Sequence, residues 1–147
     1  MREKKGTTPA VIVPNVSLVS VLQSLTTTQR KQILLRSLKK YSGKDFRCPA
    51  LGKVRIVADS VRETAHHASK SAKSTLAALN LKSVIEGALY VYATRKPKAN
   101  KQTKKNKFEE LYELHVNVYG VGAVKLMVGR NTQKLFVHYC CTSLSED

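Results

Sequence analysis

The chain has 147 residues, the length of one domain with one modest core. Its 26 Lys and Arg against 10 Asp and Glu leave a net charge of +16, whose self-repulsion points to a polyanionic partner, while 42% hydrophobic residues exclude a disordered basic tail. No run approaches the roughly 18 apolar residues of a membrane span, no cleavable leader follows residues 1–5, and Cys48, Cys140 and Cys141 form neither an even disulfide set nor a C-x-x-C pair, so a soluble protein of the reducing cytoplasm is expected, away from membranes.

Residues 1–14 mix charge with Gly6, Pro9 and Pro14 around a short apolar run and read as an extended arm. Asn15 then caps Val16, Val19, Leu22 and Leu25, spaced for a short helix. Thr26 to Gln29 has the form of a capping box, and Ile33, Leu34, Leu38 and Tyr41 follow on one face of a second helix that ends near Gly43. The opposite face carries Arg30, Lys31, Arg36, Lys39 and Lys40, a solvated surface or a phosphate-facing one. Residues 42–52, with Gly43, Pro49 and Gly52, read as a linker. The expected organisation is therefore an N-terminal arm and helical extension over 1–52 and the main domain over 53–147.

Residues 53–57 alternate as a short strand, and Ser60 to Glu63 forms a second capping box opening a helix with Ala65, Ala68 and the pair His66 and His67. Helical spacing continues over 74–79 and 82–87, with Leu76, Leu79, Leu81, Val84 and Ile85 as core positions. From Ala88 the period becomes two, with Leu89, Val91 and Ala93 against Tyr90, Tyr92 and Thr94. Residues 95–107 hold seven basic residues and no acidic one, an exposed loop. A strand over 108–119, a turn at Gly120 to Gly122, a strand over 123–128, a turn at Gly129 to Asn131 and a strand over 134–143 complete the chain. Helices first and an antiparallel meander after them make the class α+β, with N-terminal helices packed on an antiparallel β-sheet.

All four histidines, His66, His67, His115 and His138, follow residue 52. If Leu114, Val116 and Val118 face inward, His115 projects to the other sheet face with Asn117, Lys125 and Tyr92. In the last strand either alternating set is apolar enough for the core, so His138 or Tyr139 faces the site and the pattern does not choose. His66 and His67 lie roughly 100° apart on a helix, so at most one points at a given site. Imidazole, ammonium and phenol beside a basic loop suit phosphodiester cleavage without a metal, since imidazole titrates near pH 6.5 and a cation offsets phosphorane charge. There is no H-E-x-x-H, no C-x-x-C, no third glycine after Gly120 and Gly122 and no G-x-S-x-G, so neither metal nor cofactor is expected.

Residues 53–143 resemble the phage- and mobile-element-associated nuclease domains of the barnase-EndoU-colicin-RelE class, modules of large polyvalent proteins. The likeness lies in Ser60-Val61-Arg62-Glu63-Thr64-Ala65-His66-His67-Ala68-Ser69-Lys70-Ser71, in Glu113-Leu114-His115-Val116 and in Phe136-Val137-His138-Tyr139-Cys140. The resemblance implies helices on a curved antiparallel sheet and RNA cleaved by 2′-hydroxyl attack, leaving a 2′,3′-cyclic phosphate and a 5′-hydroxyl. It implies His66 or His67 with Lys70 on the helix, and His115 and His138 on the strands as acid and base. Face and charge add Lys125 and Tyr139 to the catalytic set, and Arg62, Arg95, Lys96, Lys98, Lys101, Lys104, Lys105 and Lys107 to an RNA-binding set.

The expected function is a metal-independent endoribonuclease, a toxin or effector of a phage or mobile element, acting on RNA. The alternative is a non-catalytic nucleic-acid-binding protein whose 95–107 loop and 28–40 helix neutralise phosphates. A third reading has the basic surface occupy an acidic protein. Residues 1–52 fall outside the resemblance and read as a binding arm, a dimerisation helix pair or a regulatory cap, so an inhibitor protein or a second copy is the protein partner expected.

Overall fold

The computed structural model of the chain describes residues 10–97 and 108–145. Lys98, Lys101, Lys104, Lys105 and Lys107 of the basic loop, and residues 1–9 of the arm, lie outside the described residues.

After Asn15 a 3-10 turn (Val16–Leu18) runs into the short helix α1 (Val19–Gln23). The capping box then opens α2 (Thr27–Leu38): Thr26 Oγ1 accepts from the Gln29 amide at 3.1 Å, and Gln29 Oε1 accepts from the Thr26 amide at 2.9 Å. A 3-10 turn (Lys39–Tyr41) leads to Gly43, whose φ of +85° suits a residue without Cβ and turns the chain away from the helix.

The stretch that reads as a linker holds a strand. Residues of β1 (Asp45–Cys48) alternate in burial and pair antiparallel with β2 (Gly52–Arg55), with Phe46 and Cys48 inward and Asp45 bonded to Arg55 on the other side. Four residues are too few for alternation to stand out against the flanking Pro and Gly. α3 (Ala58–Ala68) begins ahead of the expected cap, because Ser60 works from inside the first turn, its Oγ accepting from the Val57 amide at 3.1 Å. Ser71 caps α4 (Ala72–Leu79) by accepting from the Ser74 amide, and α5 (Leu81–Glu86) follows directly.

The long strands are β3 (Val91–Arg95), β4 (Phe108–Val118), β5 (Gly122–Asn131) and β6 (Phe136–Ser143). The six strands form one open sheet in the order β1-β2-β6-β5-β4-β3, with β2 and β6 parallel and every other pair antiparallel. The turn expected at Gly129 to Asn131 lies further on. Gly129 and Arg130 pair with β4 on one side and β6 on the other, and the chain reverses at 132–134, where Lys134 has φ +67°. Gly129 serves close packing there: the Phe108 ring lies over it, and a Cβ would stand 2.5 Å from ring carbons.

Helices cover one face of the sheet. Leu34, Leu38, Leu76, Leu81 and Ile85 pack with Leu114, Val116, Leu126 and Val128 in one core. Leu22, Leu34, Leu38, Phe46 and Cys48 join it, so residues before 52 and after it share a single hydrophobic interior. Val11 extends this seam, donating to the Asn117 carbonyl at 2.7 Å and accepting from the Tyr119 amide at 2.9 Å. Arg30, on the α2 face that reads as solvated or phosphate-facing, is buried: its guanidinium donates to the carbonyls of Leu22, Leu25 and Ser69 at 3.0, 2.6 and 2.8 Å. It ties α2 to the end of α1 and to the end of α3. Among the described residues no helix is long and apolar enough to cross a membrane.

Candidate active site

Strand register decides which side chains share the face turned away from the helices. His115 stands opposite Lys125, which stands opposite Thr142, and Glu113 stands opposite Met127, which stands opposite Cys140. The row between them, Leu114, Leu126 and Cys141, is fully buried in the core, so both flanking rows point outward. Val91 stands opposite Leu114, so Tyr92, the next residue of β3, points to the same outer side, and a bulge after it sets Ala93 opposite Glu113. Its ring lies on the His115 imidazole, with centroids 3.8 Å apart and planes 19° from parallel.

Glu113 joins these groups. Its Oε2 is 2.5 Å from His115 Nε2, and its Oε1 accepts from Arg95 Nη1 at 3.1 Å. Arg95 Nη2 rests 3.9 Å from the Met127 sulfur. Burial alone would push the Glu113 carboxyl up, but the hydrogen bonds from His115 and Arg95 and the charges of His115 and Lys125 hold it below its ordinary value. An ionised Glu113 only accepts, so Nε2 of His115 keeps its hydrogen and donates it to the carboxylate, and a neutral His115 ring carries its lone pair on Nδ1. A base held by a carboxylate, with one cation opposite it and another on the same carboxylate, can move a proton and offset developing negative charge.

The last strand breaks its own alternation. Met127 pairs with Cys140 and Val128 with His138, leaving Tyr139 as the extra residue of a bulge. Tyr139 packs edge-on against Phe108, centroids 6.0 Å apart, on the Gly129 side of the sheet, the outer face. His138 turns inward, 1% exposed, with Nε2 2.7 Å from Thr64 Oγ1 and Nδ1 without a hydrogen-bond partner. Burial lowers its pKa to about 3. Pattern alone could not choose between the two because the bulge lets inward His138 and inward Cys141 sit three residues apart.

α3 lies along β6. Burial pushes the Cys140 thiol up to about 11; Lys125 and Arg95 pull it down and Glu63 of α3 pushes it further, which sets all three charges around one side chain. Glu63 also raises the Tyr139 phenol, after burial. His67 Nε2 is 3.3 Å from Glu63, His66 touches His67 edge-on at 5.1 Å, Arg62 pairs with Asp59, and Lys70 is exposed beyond the helix end. Among the described residues no hydrogen bond, ion pair or ring contact joins His66, His67 or Lys70 to His115. The structure thus groups His115, Lys125 and Arg95 on the outer face with Tyr92, places Tyr139 on that face beside Phe108, sets His67 by Glu63 near it, and holds His138 on the other side of the sheet. Lys96 is exposed just past β3.

Sequence reasoning missed Glu113 as a site residue. Its signal was there, since residues two apart on a strand share a face. Among the described residues no three His, Cys, Asp or Glu side chains gather as a metal-binding group.

No curated protein and no solved structure matches the chain. The family described as large polyvalent protein-associated domain 3 matches residues 26–134, from the capping box of α2 to the turn between β5 and β6. That span includes α3, Tyr92, Arg95, Glu113, His115 and Lys125, and as it takes in most of the chain, the protein belongs to the large polyvalent protein-associated domain 3 family.

Proposed function

We propose that the chain is a metal-independent endoribonuclease, an effector of a phage or mobile element, with its reacting groups on the outer face of the sheet. The observation that carries the reading is the hydrogen bond of 2.5 Å between His115 and Glu113, with Lys125 directly across from the imidazole and Arg95 on the same carboxylate. In this reading Nδ1 of His115 takes the proton of a ribose 2′-hydroxyl as the 2′-oxygen bonds to phosphorus. The bond from phosphorus to the 5′-oxygen then breaks, and the leaving oxygen takes a proton from the Lys125 ammonium. Glu113 offsets the imidazolium, and both groups return to their starting states by exchange with water. Glu113 is a positioning residue: it acts through His115. Net charge of +16 supplies the attraction for the polyanion. The neutral, enclosed ring of His138 is left to the core.

The test is incubation with end-labelled RNA and single-stranded DNA in excess EDTA. RNA cut to 2′,3′-cyclic phosphate and 5′-hydroxyl ends, with DNA intact, supports the reading, because only ribose carries the attacking hydroxyl. Intact RNA with a salt-sensitive gel shift would instead make the chain a nucleic-acid-binding module.

A further inference from the structure

Tyr92 lies on β3, an edge strand of the sheet. It is 63% exposed although its ring already lies on His115, so one face of the phenol is spent on the imidazole and the other faces outward. Alternation puts it there, since Val91 stands opposite the buried Leu114 and position 92 therefore points outward, while the bulge that follows sets Ala93 opposite Glu113. Arg95 lies three residues further along the same strand, and Lys125 is the residue opposite His115. A flat, exposed aromatic surface flanked by two cations and backed by a second ring is the arrangement that holds an unstacked nucleobase, whose π-face needs no particular sequence.

We infer that the outward face of Tyr92 is a nucleobase platform, and that the strand bound at this site is single-stranded or has one base turned out of its helix. The identity of the strand as RNA rests on the endoribonuclease reading; the platform itself does not. A base in a duplex has both faces occupied by its neighbours and cannot lie on Tyr92 without leaving the stack. Stacking next to His115 sets the nucleotide whose ribose meets the imidazole, so the platform fixes the position of cleavage and leaves sequence choice broad.

The probe is a 2′-O-methyl oligoribonucleotide, which lacks the attacking hydroxyl, carrying one 2-aminopurine whose fluorescence is quenched on stacking. The single strand should bind the wild type with quenching, and the same oligonucleotide paired to its complement should bind at least 10-fold more weakly. Tyr92→Ala should lose the quenching and about 10-fold or more in affinity, while Tyr92→Phe keeps both. Because Tyr92 is largely exposed, circular dichroism of Tyr92→Ala should match the wild type. Equal affinity and quenching in Tyr92→Ala, or duplex bound as tightly as single strand, would overturn the platform. Quenching in a protein that cuts no RNA would support the platform and sink the nuclease reading; RNA cleavage with Tyr92→Ala binding as the wild type does would do the reverse.

Discussion

His115 and His138 sit on adjacent regions of one sheet and have opposite surroundings, and their environments set what each ring can do. His115 side chain retains contact with solvent and meets a carboxylate at 2.5 Å, whereas His138 meets one hydroxyl and nothing else polar. The folded protein keeps His138 neutral down to about pH 3, while an unfolded chain protonates it near 6.5. The unfolded state therefore binds more protons in that window, and stability falls as pH drops through it, by about 2 kcal/mol between pH 7 and 5. Urea midpoints at several pH values should show this slope in the wild type and a flatter one in His138→Gln; equal slopes would contradict the assignment. Glu113→Gln should lower kcat roughly 10- to 100-fold with little change in KM, because it removes the charge behind the base and no contact to substrate. Steady-state kinetics on a short RNA separate the two constants, and a KM effect alone would place Glu113 in binding. The pairing of His115 with Glu113 was legible from their i, i+2 spacing once the strand was drawn. The inward turn of His138 was not, since it depends on a bulge whose register comes from β5.

The elements whose ends carry local chemistry were the legible ones. The Thr26 and Gln29 capping box and the alternation of Leu114, Val116 and Val118 are written within a few residues, and the structure has a helix and a strand at both places. Elements defined by what lies across from them were not. Gly129 reads as a turn residue but serves to admit the Phe108 ring, so Gly129→Ala should cost about 1–3 kcal/mol, and Phe108→Ala should relieve most of that in a double-mutant cycle by thermal or urea unfolding. Additive costs would contradict the contact. Arg30 reads as a surface cation yet satisfies three carbonyls at the junction of α1, α2 and α3. Arg30→Met keeps the stem and removes the donors, and should cost about 3 kcal/mol in urea unfolding. A loss under 1 kcal/mol would mean that water replaces the guanidinium.

At the scale of the whole molecule, helices on one face of an open, mostly antiparallel sheet leave the other face for His115, Glu113, Arg95, Lys125 and Tyr92. The α+β class followed from the change of period near Ala88, because helical and strand spacings differ too much to be confused over long segments. The joining of residues before 52 to the main core did not follow, because Pro49 and Gly52 punctuate a hairpin in the same way as they punctuate a linker. The charge of +16 is compatible with either catalysis or simple binding, so it cannot separate them. The His115 imidazole can. Single-turnover cleavage of a labelled RNA in EDTA, by the wild type and by His115→Ala at equal occupancy, should show a rate lower by roughly 10²- to 10⁴-fold in the variant with binding unchanged. Equal rates in the two proteins, or no cleavage by the wild type, would contradict an active site on this face.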